Sequence, residues 1–367
     1  MRISEVHRHR AGAALRNLFI ADALAMPVHW YYNIKDIFRA FPGGIRQFEA
    51  APASHPSSIM SLHSTAGGGR RSKETDSAGK EVVGNLILKG KQDFWNRKNV
   101  HYHHGMGPGE NTLNAQCARV LMRCLADHQG RYDTQAFLAA YIDFMTADPP
   151  LHDDSYAESY HRGFFANLQR GLPPDRCAAV THDTPSIGGL VTIAPLVLSQ
   201  RLRGVELDRV RLDARAHLEL THPHQMLAGI CDAYVQLIDR LLFLEDVSGV
   251  GSIIAETAET SIGLDLPGLL AEQADDAEVI GGRFSSACYI DGAWPGVLYL
   301  LYKYCEMPEQ ALLANTNLGG DNAHRGAVLG VLLGLVQGRS IEAWYTRLQA
   351  HDSVEREIQS LLELPES

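Results

Sequence analysis

The 367-residue sequence lacks a membrane span in its late apolar run: the stretch after Ala327 falls far short of one. Met1 to Arg10 is charged and histidine-bearing with no apolar core behind it, so no targeting segment is expected. Cysteine pairing is also missing. The six cysteines are scattered, with no Cys-x-x-Cys, and read as reduced core residues suited to a cytoplasm. Positive charge is in deficit: the formal net charge of -10, with no aromatic-basic stripe, argues against a nucleic-acid or anionic-membrane partner. Period-two alternation is nearly absent, which excludes a large half-buried sheet. No fixed repeat and no Pro/Ser/Gly linker divides the chain.

Familiar catalytic signatures are missing too. Ser77-Ala78-Gly79-Lys80-Glu81 ends like a phosphate loop, but Glu74 stands where the first glycine belongs and Glu81 where the Ser/Thr belongs. There is no His-Glu-x-x-His, no nucleophile elbow and no dinucleotide fingerprint.

What remains is helix. Helical spacing of apolar residues runs over Glu5 to Leu24, Leu113 to Cys124, Thr134 to Met145, Ser155 to Gln169, Ile187 to Leu202, Pro223 to Leu244, Cys288 to Tyr304, Pro308 to Asn315 and Ile341 to Leu362. The expectation is an all-α single domain, 1–367, of a dozen or so helices, with a long loop over 43–77 as its largest insertion. The chain is organised around Asn315 to Gly338. There Gly319-Gly320 bends the backbone, Asp321 is placed to cap a helix, and His324 lies three residues on, on the same face. Gly326, Gly330, Gly334 and Gly338 then recur every fourth residue, a costly stripe unless it admits another backbone.

Three segments carry a resemblance: Ala21-Asp22-Ala23-Leu24-Ala25-Met26-Pro27-Val28-His29, Pro108-Gly109-Glu110-Asn111-Thr112, and Gly319-Gly320-Asp321-Asn322-Ala323-His324. In order and spacing they resemble the signatures Gly-Asp-Ala-Leu-Gly-x-Pro-x-Glu, Thr-Asp-Asp-Thr and Gly-Gly-Asp-x-Asp-Thr of the ADP-ribosylglycohydrolase family. Ser186 to Pro195, Thr221 to His224 and Cys288 to Gly338 also look like family segments, so the resemblance covers about residues 10 to 338. It implies a compact all-α fold with a central cleft, two magnesium ions, and hydrolysis at the anomeric carbon of an ADP-ribosyl compound. Position by position, Thr-Asp-Asp falls on Gly109, Glu110 and Asn111, and the late Asp, Asp and Thr fall on Asp321, Ala323 and His324. Two of four carboxylates remain, and the early Glu has become His29.

Two divalent ions on two carboxylates would leave uncompensated charge in a cleft. One ion, magnesium or manganese, between Glu110 and Asp321, with Asn111 and His324 completing the set, is the better balance. If His324 or His29 binds, a nitrogen-tolerant metal such as Zn, Mn or Fe is favoured over Mg. A third option has no metal, with Asp22, Glu110 or Asp321 as acid and base and a histidine assisting.

The expected catalytic residues are thus Glu110, Asp321, Asp22 and His29. Asn111, Thr112, Asn322, His324, Gly188, Gly189 and His222 are expected to bind substrate. The partner is a small-molecule or ADP-ribosylated substrate, and the reaction is hydrolysis of an N- or O-glycosidic bond. The rival is a non-catalytic, crystallin-like or ligand-binding member of the fold. Ordinary roles were weighed beside these: His101, His103 and His104 read as crowded loop histidines, and Asp153-Asp154 with Glu158, His161 and Arg162 as a solvated ion-pair face. A phosphate clamp by Arg162 and Arg325 is the weaker reading.

Overall fold

Helices Glu5–Ala25 and Asn322–Gln337 form the centre of the molecule. Every residue from Asn322 to Val336 is buried, which is why that helix is apolar on all sides rather than along one stripe. Its glycines face the first helix. A Cβ added at Gly334 would lie 2.6 Å from the Ala13 carbonyl oxygen and from Ala14 Cα, and one at Gly330 would overlap the Asn17 carbonyl. The stripe therefore brings two backbones into contact, which offsets a propensity cost of about 1 kcal/mol per glycine. Gly338, at φ 64°, ends the helix in the left-handed cap that glycine adopts without strain.

The structure is a computed structural model that describes residues 3–58, 61–66, 81–181 and 183–363. Among the described residues it holds seventeen α-helices and no strand, only isolated bridges such as Ser186 with Tyr289, so the fold is all-α as expected. Residues 43–58 and 61–66 of the long loop contain no helix; Gly67 to Arg71 and Ser77 to Lys80 lie outside the described residues. The segment Glu5–Val28 is, by length and composition alone, apolar enough to cross a membrane. Its burial among other helices accounts for that composition.

Several expected helices recur with small shifts, among them Thr134–Thr146, Gln225–Leu242 and Ile290–Tyr304. The helix Leu207–Glu219 was not expected, because only five of its residues are buried and its apolar pattern is weak. Ile341 to Leu362 is two helices, Glu342–Tyr345 and His351–Leu362. The break lets the Gln349 N–H reach the Gly109 carbonyl at 3.0 Å, tying the chain end to the loop ahead of helix Leu113–Asp127.

The last helix is pinned to the first by a forked pair: Arg16 Nε and Nη2 donate to Glu355 at 2.9 and 2.7 Å, and Tyr345 Oη donates to the same carboxylate at 2.6 Å. The Arg16 hydrogen bonds, against partial burial and with help from Tyr345, hold Glu355 down at about 2, below its ordinary 4.5. A depressed acid stabilises the fold above its unfolded pKa and loses that contribution as pH falls. Thermal midpoints followed from pH 6 to 2 should therefore drop more steeply between about 4.5 and about 2 in wild type than in Glu355→Gln. Parallel curves would remove the pair from the acid response. Gly334→Ala should lower unfolding free energy by about 1–3 kcal/mol in urea titrations, the cost of overpacking; an unchanged midpoint would contradict backbone contact at that position.

Candidate functional site

Where the first helix ends, Met26–Val28 forms one tight turn and the chain runs out through His29, Trp30 and Tyr31. The glycine turn locks onto this segment: Gly320 N–H donates to the Tyr31 carbonyl at 2.8 Å, and Trp30 N–H donates to the Gly320 carbonyl at 2.7 Å. Asp321 N–H donates to the Ser286 carbonyl at 2.8 Å. Gly319 and Gly320, at φ 66° and 65°, have no room for a Cβ against Tyr31 and Ser286. Buried Arg325 closes the turn from below, donating to the Asn315 side chain at 2.8 Å and to the Gly319 carbonyl at 2.9 Å. Its guanidinium is engaged by the backbone it holds.

This frame aims three side chains at one point. His29 Nε2 and His324 Nδ1 each lie 2.8 Å from Asp321 Oδ1, all three residues are buried, and their donor atoms fall within 4.8 Å of one another. Two arms extend from the group. On one, His29 Nδ1 is 2.8 Å from His103 Nε2, and His103 Nδ1 is 2.9 and 3.0 Å from the two Asp154 oxygens. Asp154 also accepts the Leu113 N–H at 3.0 Å, at the start of helix Leu113–Asp127, where a carboxylate is favoured. On the other arm, Asn114 Nδ2 stands 2.9 Å from His324 Nε2 and donates to Glu158 Oε2 at 2.7 Å. Nearby, Asp22 accepts from Thr112 N–H at 2.8 Å, from Asn111 Nδ2 at 2.9 Å and from the Thr112 hydroxyl.

Burial and pairing set the charges. Burial alone would raise Asp321, but His324 and His29 hold its carboxyl well below the usual range. Burial opposes charge on His324, yet Asp321 and Glu158 outweigh it and raise the imidazole to about 10. His29 is pushed by burial down to about 3, and Glu158 is pushed by burial up to about 7. Asp22 is raised, burial prevailing over its hydrogen bonds.

The hollow beside the group has a volume of about 10 Å³, room for about one water. Trp30 closes it, stacked on His29 at 3.6 Å and set edge-on to Tyr102 and Tyr156. Behind Asn114 lies an inner cavity of about 30 Å³ lined by Gly188, Gly189, His161, His217 and His222, the last with an Nε2 that has no partner among the described residues. A groove of about 990 Å³ lies elsewhere, between Arg211, Asp232, Arg240 and Glu256. Its charges are paired as Arg211 with Asp232 and Arg240 with Glu256, so it offers no reactive cluster and the small hollow is the better site.

Of the residues expected from sequence, Asp321, His324 and His29 meet, Thr112 lines the hollow, and Asp22 lies one hydrogen bond behind it. The expected meeting of Glu110 with Asp321 is corrected: Glu110 is turned back on its own loop, accepting the Gly107 N–H, and does not line the hollow. Asn111 turns its amide nitrogen to Asp22 and the Phe19 carbonyl, leaving a buried Oδ1 unpartnered among the described residues. Asn322 is spent on the Thr316 and Val28 carbonyls. Gly188 packs beside Asn114 and His324; Gly189 and His222 belong to the inner cavity. Asp321 does not cap its helix, since its side chain serves the two histidines instead. The supposed ion-pair face is corrected as well: Asp154, Glu158, His161 and Arg162 are buried, because the helix begins only at Ser159 and the acids precede it, facing inward. Arg162 Nη1 holds the carbonyls of Ser61, Ser64 and Ala66. His103, Asp154, Glu158 and Asn114 were missed as site residues; the available signal was acids set among Tyr156 and Tyr160 ahead of a helix.

The ADP-ribosylglycohydrolase family model matches residues 4–367. Among solved structures, a chain described as an ADP-ribosylglycohydrolase-related protein complex is similar at TM-score 0.56 and 15% identity, over 98% of this chain and 99% of that one, a likeness of fold. No curated protein matches the chain.

Proposed function

Because the chain belongs to the ADP-ribosylglycohydrolase family, we propose that it hydrolyses an N- or O-glycosidic bond of an ADP-ribosyl or related ribosyl compound at a single-ion site. The observation that carries this reading is the convergence of His29, Asp321 and His324 on one buried point. Two imidazoles and one carboxylate suit a borderline ion such as zinc, manganese or iron. They do not suit a pair of magnesium ions, which need oxygen ligands where this chain has Ala323 and His324. The charge also balances, since Asp321, Glu158 and Asp22 surround the point. Bound there, the ion would supply Lewis-acid activation of substrate or water oxygen.

The protein's own residues carry the rest. Glu158, with a pKa near 7, can hold or release a proton at working pH, as general acid-base catalysis requires. Asn114 fixes Glu158 relative to His324. A ribosyl group does not fit in about 10 Å³, so Trp30 must swing from His29 to admit it. The same closure favours the rival, a non-catalytic member whose hollow stays shut.

Thermal unfolding with added Zn, Mn or Mg tests the site. A ligand at a hundredfold excess over its Kd stabilises by about 2.7 kcal/mol. Zn or Mn should raise the midpoint well beyond Mg, and Asp321→Asn should fold but lose the shift. A response to Mg alone, or one retained in Asp321→Asn, contradicts the assignment. Release of ADP-ribose from N- and O-linked ADP-ribosyl substrates, lost in Glu158→Gln with metal binding retained, separates enzyme from rival; no release from any of them favours the non-catalytic reading.

A further inference from the structure

We propose that Asp154 and His103 are positioning residues that dictate which ring nitrogen of His29 carries its proton, and so leave His29 Nε2 bare to bind the ion. This rests on the single-ion reading above. Asp154 is an acceptor, its oxygens 2.9 and 3.0 Å from His103 Nδ1, so that nitrogen carries a hydrogen. In a neutral ring the remaining nitrogen, His103 Nε2, is then an acceptor, and it faces His29 Nδ1 at 2.8 Å. His29 donates from Nδ1, and its lone pair is left on Nε2.

That lone pair points at another acceptor, Asp321 Oδ1, 2.8 Å away. Two acceptors at that distance repel unless a cation lies between them. The opposite order of protons along the arm would put hydrogen on His29 Nε2, satisfy Asp321 directly and close the ligand atom. Asp321 alone would favour that second order; with the ion serving Asp321, Asp154 selects the first, in the way a carboxylate behind a metal-bound histidine fixes its tautomer. Asp154 is itself held by the Leu113 N–H at 3.0 Å and, more weakly, by the Tyr156 N–H at 3.4 Å. The His103 ring lies parallel to His29, 5° between planes at 5.0 Å, so neither ring has to turn.

Asp154→Asn inverts the arm with almost no change of shape. The amide oxygen keeps Leu113, while the amide nitrogen donates to His103 Nδ1. The His103 proton then sits on Nε2, and that of His29 on its own Nε2. Zinc alone is the probe. In zinc-loaded wild type, nitrogen-15 NMR should show the His29 hydrogen on Nδ1. Asp154→Asn should bind zinc about 10–100-fold more weakly in calorimetry, the usual cost of losing such a partner, with its metal-free His29 hydrogen on Nε2. His103→Ala removes the acceptor altogether, and should weaken zinc in the same sense. Undiminished affinity in either folded variant, or a wild-type His29 protonated on Nε2 with zinc bound, overturns the proposal while sparing the single-ion site. Wild type that binds no zinc overturns both.

Discussion

A carboxylate removed from water must be met by donors or by a cation, and among the described residues Asp321 is met by two imidazoles and no other side chain. Much of the surrounding structure follows from that requirement. His29 meets His103 on one side and His324 lies against Asn114 on the other, and these in turn meet Asp154 and Glu158. A polar string thus crosses the interior from one carboxylate to another, every link between buried residues. Strings of this kind are costly when one member is unpaired, so the helices that carry them have little freedom to shift.

The fold was largely legible. Helical spacing located the main helices, and the four-residue glycine stripe announced a close backbone neighbour, because only contact of that kind offsets glycine in a helix interior. The splitting of Ile341 to Leu362 was not legible, since the contact made at the break, a hydrogen bond from Gln349 to Gly109, lies far along the chain. Leu207–Glu219 was hidden by its exposure, which leaves few apolar positions to mark a period.

The site was half legible. Family register named Asp321, His324 and His29, and the structure brings them together. The same register pointed to Glu110, whose carboxylate serves its own turn instead. Asp154 and Glu158 were read as surface charges because charged residues at helical spacing usually are; what makes them buried is the late start of the helix at Ser159, a boundary that periodicity places poorly. His103 looked like one of a crowd of loop histidines. Its role is visible only once Asp154, 51 residues away, is seen beside it.

The contact between helices Glu5–Ala25 and Asn322–Gln337 bears on more than stability. With Ala14 and Gly334 touching through main-chain atoms, there is no side-chain cushion to thicken or thin, so a side chain added at that contact has to push apart the two helices that lead to Asp22 and Asp321. The side chains at 29, 323 and 324 thus decide what stands at the hollow without altering what holds the two helices at their spacing. Any enlargement of the hollow falls to the opposite wall, where Trp30 and Tyr156 stand.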